Sequence, residues 1–197
     1  MRTKLEKLEQ QLTKHASEED AKFYSELSRR VFGKASTGFL ESHDSETLAA
    51  ILQGAIKLIG QKEPNEIRVR ATNPRYDVDG WESPKTALEV SMRDRPFIVD
   101  SISHELKRMG LELQFLVHPI IKFQRDKDGQ LKKEFDGPDS VAEVYELFLV
   151  ERVPDEQLPE LERRVRSVLE DVRVATDDYP ALRQQVDAIC KRLSHLA

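Results

Sequence analysis

A chain of 197 residues, 34% charged and 39% hydrophobic, can bury one sizeable domain or a small domain with a helical appendage. Its formal charge of −5 argues against a nucleic-acid surface, which needs a basic face, and no apolar run reaches the length of a membrane span. The single cysteine, Cys190, excludes an internal disulfide and suits a reducing compartment. Met1-Arg2-Thr3-Lys4-Leu5-Glu6 lacks the apolar core of a signal peptide, so a cytoplasmic location is expected.

Residues 1 to 60 carry helical patterning. Leu5, Leu8 and Leu12 make a thin stripe, and Ser17 offers an N-cap before Glu18-Glu19-Asp20, acids that favour the positive end of a helix. Ala21, Tyr24, Leu27 and Val31 continue that helix to Gly33. Ser42-His43-Asp44-Ser45 begins the next, with Leu48, Leu52, Ala55, Ile56 and Ile59 inside and Gly60 after it. These helices are expected to pack on a later sheet, the alternative being a partner-binding pair.

Alternation then takes over. Ile67, Val69 and Ala71 against Arg68 and Arg70 predict a strand over 66–72, and the prolines and glycine of 73–85 predict a loop. Trp81 is expected to pin that loop to its own domain; the alternative is a ring facing a ligand or partner. Leu88, Val90 and Met92 predict a second strand. Ile98, Ile102, Leu106 and Met109 recur at helical spacing up to Gly110, with Pro96 expected in the first turn of that helix. A long strand is expected from Leu111 through Phe115, Val117, Ile121 and Phe123, with Pro119 demanding an edge or a bulge.

Asp128-Gly129 marks a turn and Asp136-Gly137-Pro138 a loop. Val141 to Val150 reads as a strand with Ala142, Val144, Phe148 and Val150 on one face. Its other face, with Glu143, Tyr145, Leu147 and Leu149, is too apolar to stand bare. Residues 155–175 predict an amphipathic helix on Leu158, Leu161, Val165, Val168, Leu169 and Val172. Asp177 or Asp178 is expected to cap a last, separate helix with Pro180 in its first turn.

Asp94-Arg95-Pro96-Phe97-Ile98-Val99-Asp100-Ser101-Ile102, followed by Glu105-Leu106 and Met109-Gly110-Leu111, resembles the start of an ACT domain, a small regulatory βαββαβ module. Gly80-Trp81-Glu82-Ser83-Pro84, Arg95 to Ser101 and Val117-His118-Pro119 together are similar to the N-terminal region of the large bacterial NAD-specific glutamate dehydrogenases. The resemblance implies an α+β fold with an ACT-like (ferredoxin-like) antiparallel sheet, helices on one face, N-terminal helices and a C-terminal helix. The expected division is an N-terminal helical segment 1–62, an ACT-like domain 63–176, and a helix 177–197 leading into a longer chain. No fourth ACT strand follows the second helix, so the strand 66–72 is expected to fill that place beside 87–92, where an open flank would leave N–H and C=O groups unpaired.

The chemistry-bearing residues give little sign of catalysis. His15, His43, His104, His118 and His195 show no metal-ligand spacing. His118, the most tempting, is expected to be a hydrogen-bonded structural imidazole. Ser101, Ser103 and His104 share one helix and make no triad, and no Gly-rich phosphate loop is present. No catalytic, cofactor-binding or metal site is therefore expected in this segment; NAD belongs to the full-length enzyme that the resemblance implies.

Arg93, Asp94, Arg95, Pro96 and Phe97 form the candidate effector or contact loop, because a helix start with free N–H groups attracts a carboxylate. The alternative is that Asp94 caps the helix while Arg93 and Arg95 are solvated or paired. ACT loops that receive an amino acid typically place glycine right after the proline, where Phe97 stands here. Phe97 is expected to turn inward beside Met92 and Val99 and to crowd such a ligand. The function implied is a non-catalytic regulatory or assembly domain of such a dehydrogenase. Its expected partners are other domains or subunits of the same homo-oligomeric enzyme, with no nucleic acid and no membrane. The alternative is a free-standing ACT-type amino-acid sensor.

Overall fold

The computed structural model describes residues 2–14 and 16–194. Four helices come first: α1 (Arg2–Thr13), α2 (Glu18–Phe32), α3 (Thr37–Ser42) and α4 (Ser45–Ile59). Their starts are set locally, since Ser17, Ser36 and Asp44 each accept a hydrogen bond from a backbone N–H in the turn they cap. Strand β1 (Arg68–Thr72) leads through a short helix α5 (Tyr76–Asp79), inside the expected loop, to β2 (Thr86–Arg93). Helix α6 (Ile98–Arg108), β3 (Leu113–Val117), β4 (Ile120–Arg125), β5 (Leu131–Phe135) and β6 (Val141–Val150) follow. A 3-10 turn then enters α7 (Leu158–Ser194).

The fold is α+β and ACT-like. The sheet is antiparallel in the order β1-β2-β6-β4-β5, with β3 also on β6. Strand β1 takes the expected place beside β2, Val69 opposite Val90. The long strand expected from Leu111 is broken into β3 and β4. From Phe115 onward both lie along β6 in one register, Val117 opposite Leu147 and Ile120 opposite Val144. Pro119 sits at the break, where it can accept but not donate: its carbonyl receives the Tyr145 N–H at 3.2 Å. Strand β5 was not foreseen. It closes a hairpin on β4 around Asp128-Gly129 and stacks Phe135 on Phe23 of α2 at 5.4 Å.

Strand β6 is buried on both faces over its last eight residues. Val144, Phe148 and Val150 join Leu88, Val90 and Met92 in a core beneath α6 and α7. Tyr145, Leu147 and Leu149 join a second core roofed by the N-terminal helices, which pack on the sheet as expected. Trp81 belongs to this second core, 7% exposed, and pins its loop to the domain.

The polar groups on the second face are partnered. Glu143 receives Arg125 Nε at 2.7 Å and Nη2 at 2.9 Å and also pairs with Lys62. Arg125 extends to the carbonyls of Ile59 and Gly60, so it caps the C-terminus of α4 as well. Glu89 receives Arg70 Nε at 2.8 Å and the Tyr145 hydroxyl at 2.9 Å.

Helix α7 is one helix, not the two expected. Thr176 and Asp177 lie within it, and Asp177 pairs with Arg95 instead of capping a new start. No glycine interrupts 160–194, and Pro180 removes one backbone N–H without ending a helix that continues on both sides. Helix α7 also guards the edge strand: Glu162 accepts the Ala71 N–H at 2.7 Å, and Arg166 donates to the Ile67 carbonyl.

Val69, 6% exposed, faces the core under α7. Replacing it with Asp buries an unpaired charge and should lower unfolding free energy by about 2 kcal/mol or more. Urea denaturation followed by circular dichroism checks this.

Candidate functional site

The loop between β2 and α6 splits its five residues between two surroundings. Arg93 ends β2 opposite Glu143, is exposed, and lines a cleft with Lys62, Arg125 and Lys127. Asp94 prolongs the ladder by one bond, its N–H donating to the Ala142 carbonyl at 2.9 Å. Arg95 turns the other way, towards α7, where Nη1 donates to Thr176 Oγ1 at 3.0 Å and pairs with Asp177. Its Nε is buried without a partner.

Two of the expectations fail here. Pro96 lies outside α6, because Phe97 is the N-cap and the helix begins at Ile98. Phe97 does not turn inward: it is 67% exposed and takes φ +72, ψ 6, the left-handed region. The chain must reverse between Pro96 and α6, and the backbone makes that reversal at this residue. A side chain with Cβ is strained there by about 1–2 kcal/mol, which is the physical reason that a glycine suits the position. The Asp94 cap of the alternative reading is absent too, since α6 has no side-chain cap at its N-cap residue.

Beside the α6 start lies a cleft of about 140 Å³ lined by Asp94, Arg95, Asp100, His118, Ile120 and Glu146. Glu146 was not singled out from the sequence. It stands on β6 between Val144 and Phe148, 1% exposed, and its Oε2 has no partner. Burial, and then the Asp94 carboxylate, push its carboxyl up to about 8. The signal was present: one acid on an otherwise apolar strand face.

Against the other flank of the loop, Pro96, Phe97 and Ser101 meet Val168, Val172 and Ala175 of α7 around an apolar groove of about 730 Å³. The histidines are structural or solvent-facing. His43 Nδ1 contacts the Phe39 carbonyl at 2.8 Å, His104 Nδ1 the Asp100 carbonyl at 2.8 Å, and His118 is exposed at the cleft rim. His15 and His195 lie outside the described residues. Among the described residues no three His, Cys, Asp or Glu side chains converge to hold a metal.

The family described as "Glutamate dehydrogenase, ACT1 domain" matches residues 27–165, which take in the loop, the cleft and most of both cores. The chain belongs to this family. The ACT1 chain is 29% identical over 140 residues to the NAD-specific glutamate dehydrogenase of Halomonas elongata, covering 68% of itself and 9% of that protein. It is 28% identical over 181 residues to the NAD-specific glutamate dehydrogenase of Pseudomonas aeruginosa, covering 89% of itself and 11% of that protein. It thus spans about a tenth of the length of the curated relatives it matches. No solved structure matches.

A dinucleotide pyrophosphate sits on a glycine-rich turn that opens a helix. The left-handed glycines here, Gly80, Gly110 and Gly129, follow α5, follow α6 and close the β4–β5 hairpin; none begins a helix.

Two outcomes follow for the site. Phe97→Gly should raise stability by about 1 kcal/mol, since it relieves a left-handed residue whose ring touches little of its own domain; a chemical-denaturation midpoint reads it. Glu146 holds a proton in the folded chain that the unfolded chain releases near 4.5. Its contribution is therefore complete below that pH and is lost as pH rises towards about 8. Glu146→Gln removes this dependence, so the variant should gain on the wild type steadily between those pH values in melting temperature.

Proposed function

We propose that this chain is a non-catalytic assembly domain of a large NAD-dependent glutamate dehydrogenase. The parent reaction is the oxidative deamination of L-glutamate to 2-oxoglutarate and ammonia, with NAD held elsewhere in the polypeptide. The observation that carries the reading is how the loop spends its charge. Arg95, the cation nearest the α6 start, is committed to Thr176 and Asp177 of α7. With Arg95 paired away, Asp94 and Asp100 oppose the carboxylate of a free amino acid in the cleft, and Glu146, which holds its proton, offers it no cation. The apolar surface beside it, Phe97 with the α6–α7 groove, suits a protein contact. Relatives about ten times longer named NAD-specific glutamate dehydrogenase support the parent assignment.

The partners proposed are other domains or subunits of the same enzyme, assembled as a homo-oligomer in the cytoplasm. Among the described residues no helix is long and apolar enough to cross a membrane.

Calorimetric titration of the 197-residue chain with glutamate, aspartate, arginine and branched-chain amino acids should give no heat of binding at millimolar concentration. A saturable signal that Arg95→Ala removes would overturn the assembly reading in favour of an amino-acid sensor. The same preparation should form no NADH from glutamate and NAD; formation abolished by a point substitution within the chain would overturn the non-catalytic assignment.

A further inference from the structure

Glu146 owes its isolation to the strands beside it. On one side β2 places Val90 opposite. On the other, β3 pairs as far as Leu147 and β4 resumes at Val144, so Glu146 lies against the break at His118-Pro119. Neither neighbour supplies Oε2 with a hydrogen bond, although the residue is 1% exposed. A buried carboxyl oxygen left in that state is costly, protonated or not, because it forgoes the bonds that water would have given it.

The polar lining of the cleft beside that break is Asp94, Arg95, Asp100, His118 and Glu146. Arg95 is committed to Asp177 and Thr176 on α7, and His118 is exposed at the rim. What remains is three carboxyl groups brought from β6, the β2–α6 loop and α6, with Ile98, Ile120 and Val144 as an apolar wall. We propose that this cleft binds a small organic cation of the alkyl-diamine class, one ammonium group meeting Glu146 and Asp94 and the methylene stem lying along Ile120 and Val144. The site goes beyond the assembly reading and does not depend on it.

Three observations select that class. The buried Glu146 oxygen calls for a donor, and the Asp94 carboxylate beside it calls for that donor to be positive; an ammonium group is both. The carboxyls do not converge as a metal ion requires, whereas a diamine carries its charges at two ends of a stem. At about 140 Å³ the cleft is smaller than the roughly 300 Å³ at which pockets for drug-sized ligands begin, so the occupant is short. A carboxylate on the ligand would face Asp94 and Asp100, which sets free amino acids apart from amines that lack one.

Uptake of the cation is linked to a proton. Burial and Asp94 keep the empty site's Glu146 protonated up to about 8, and the ammonium must displace that proton. The other groups facing it are Asp100, the paired Arg95 and His118. Affinity should therefore rise about tenfold from about pH 6.5 to about pH 8 and level off above.

Calorimetric titration of the 197-residue chain with the four-carbon diamine putrescine tests this. Saturable binding is expected, tighter by about tenfold or more than that of ornithine, which is the same diamine with a carboxylate attached. Glu146→Gln keeps the shape of the protonated acid and should abolish both the binding and its rise with pH. Asp94→Asn lies at a more exposed position, keeps its backbone bond to Ala142, and should weaken binding by about tenfold; thermal melting shows that each variant is folded. Absence of saturable putrescine binding at millimolar concentration overturns the proposal. So does binding that either folded variant leaves unchanged, which would place the cation elsewhere on a chain of net charge −5. Ornithine that binds as tightly as putrescine, or an affinity flat with pH, overturns it as well.

Discussion

Two-sided burial of β6 is the constraint on which the structure turns. A strand with a solvated face can place polar side chains in water, but eight consecutive buried residues remove that option. Every polar side chain on β6 must then find a partner within the protein or go without. Glu143 finds two cations, Lys62 and Arg125, drawn from the segment just after α4 and from β4. Burial pushes the Glu143 carboxyl up, the Arg125 hydrogen bonds and the Lys62 charge pull it down further, and it stays below the ordinary range. Tyr145 shares Glu89 with Arg70, which ties β6 to β2 and β1 in one buried chain of bonds. Glu146 alone keeps an unpartnered oxygen, and it is the one that opens on the cleft.

The same constraint explains why this chain needs both its N-terminal helices and its extra strand. A bare ACT-like sheet would leave Leu147 and Leu149 in water; α1 to α4 cover them. Strand β1, arriving from upstream, occupies the flank that a fourth ACT strand would otherwise hold. Its arginines face the helical layer, and there Arg70 supplies the charge that Glu89 requires. Replacing a downstream strand by an upstream one thus brings a buried countercharge with it.

What the sequence disclosed follows from range. Caps such as Ser17 and Asp44 act within one turn, and the alternation of Val69, Leu88 and Val144 reports a face whose burial needs no knowledge of its partner; all were legible. Strand β5 was not, because Leu131-Lys132-Lys133-Glu134-Phe135 is mostly charged and is held by Phe123 and Phe23, residues remote in the chain. Asp177 carried a misleading local signal: its cap chemistry was outweighed by Arg95, 82 positions away. The site followed suit. Arg93 to Phe97 were found because a charged, proline-containing break between strand and helix is a local pattern. The outward turn of Phe97 was hidden, since a left-handed backbone at a phenylalanine runs against its intrinsic preference. Glu146 was hidden differently, since its isolation depends on what β2 and α6 fail to offer it.

The bonds from α7 to β1 have a bearing on solubility. An edge strand displays unmatched N–H and C=O groups that invite another chain to add itself as a further strand, the first step of amyloid-like growth. Here Glu162 occupies the Ala71 N–H and Arg166 the Ile67 carbonyl, so a charged helix stands where an invading strand would dock. The sheet is blunted on that side.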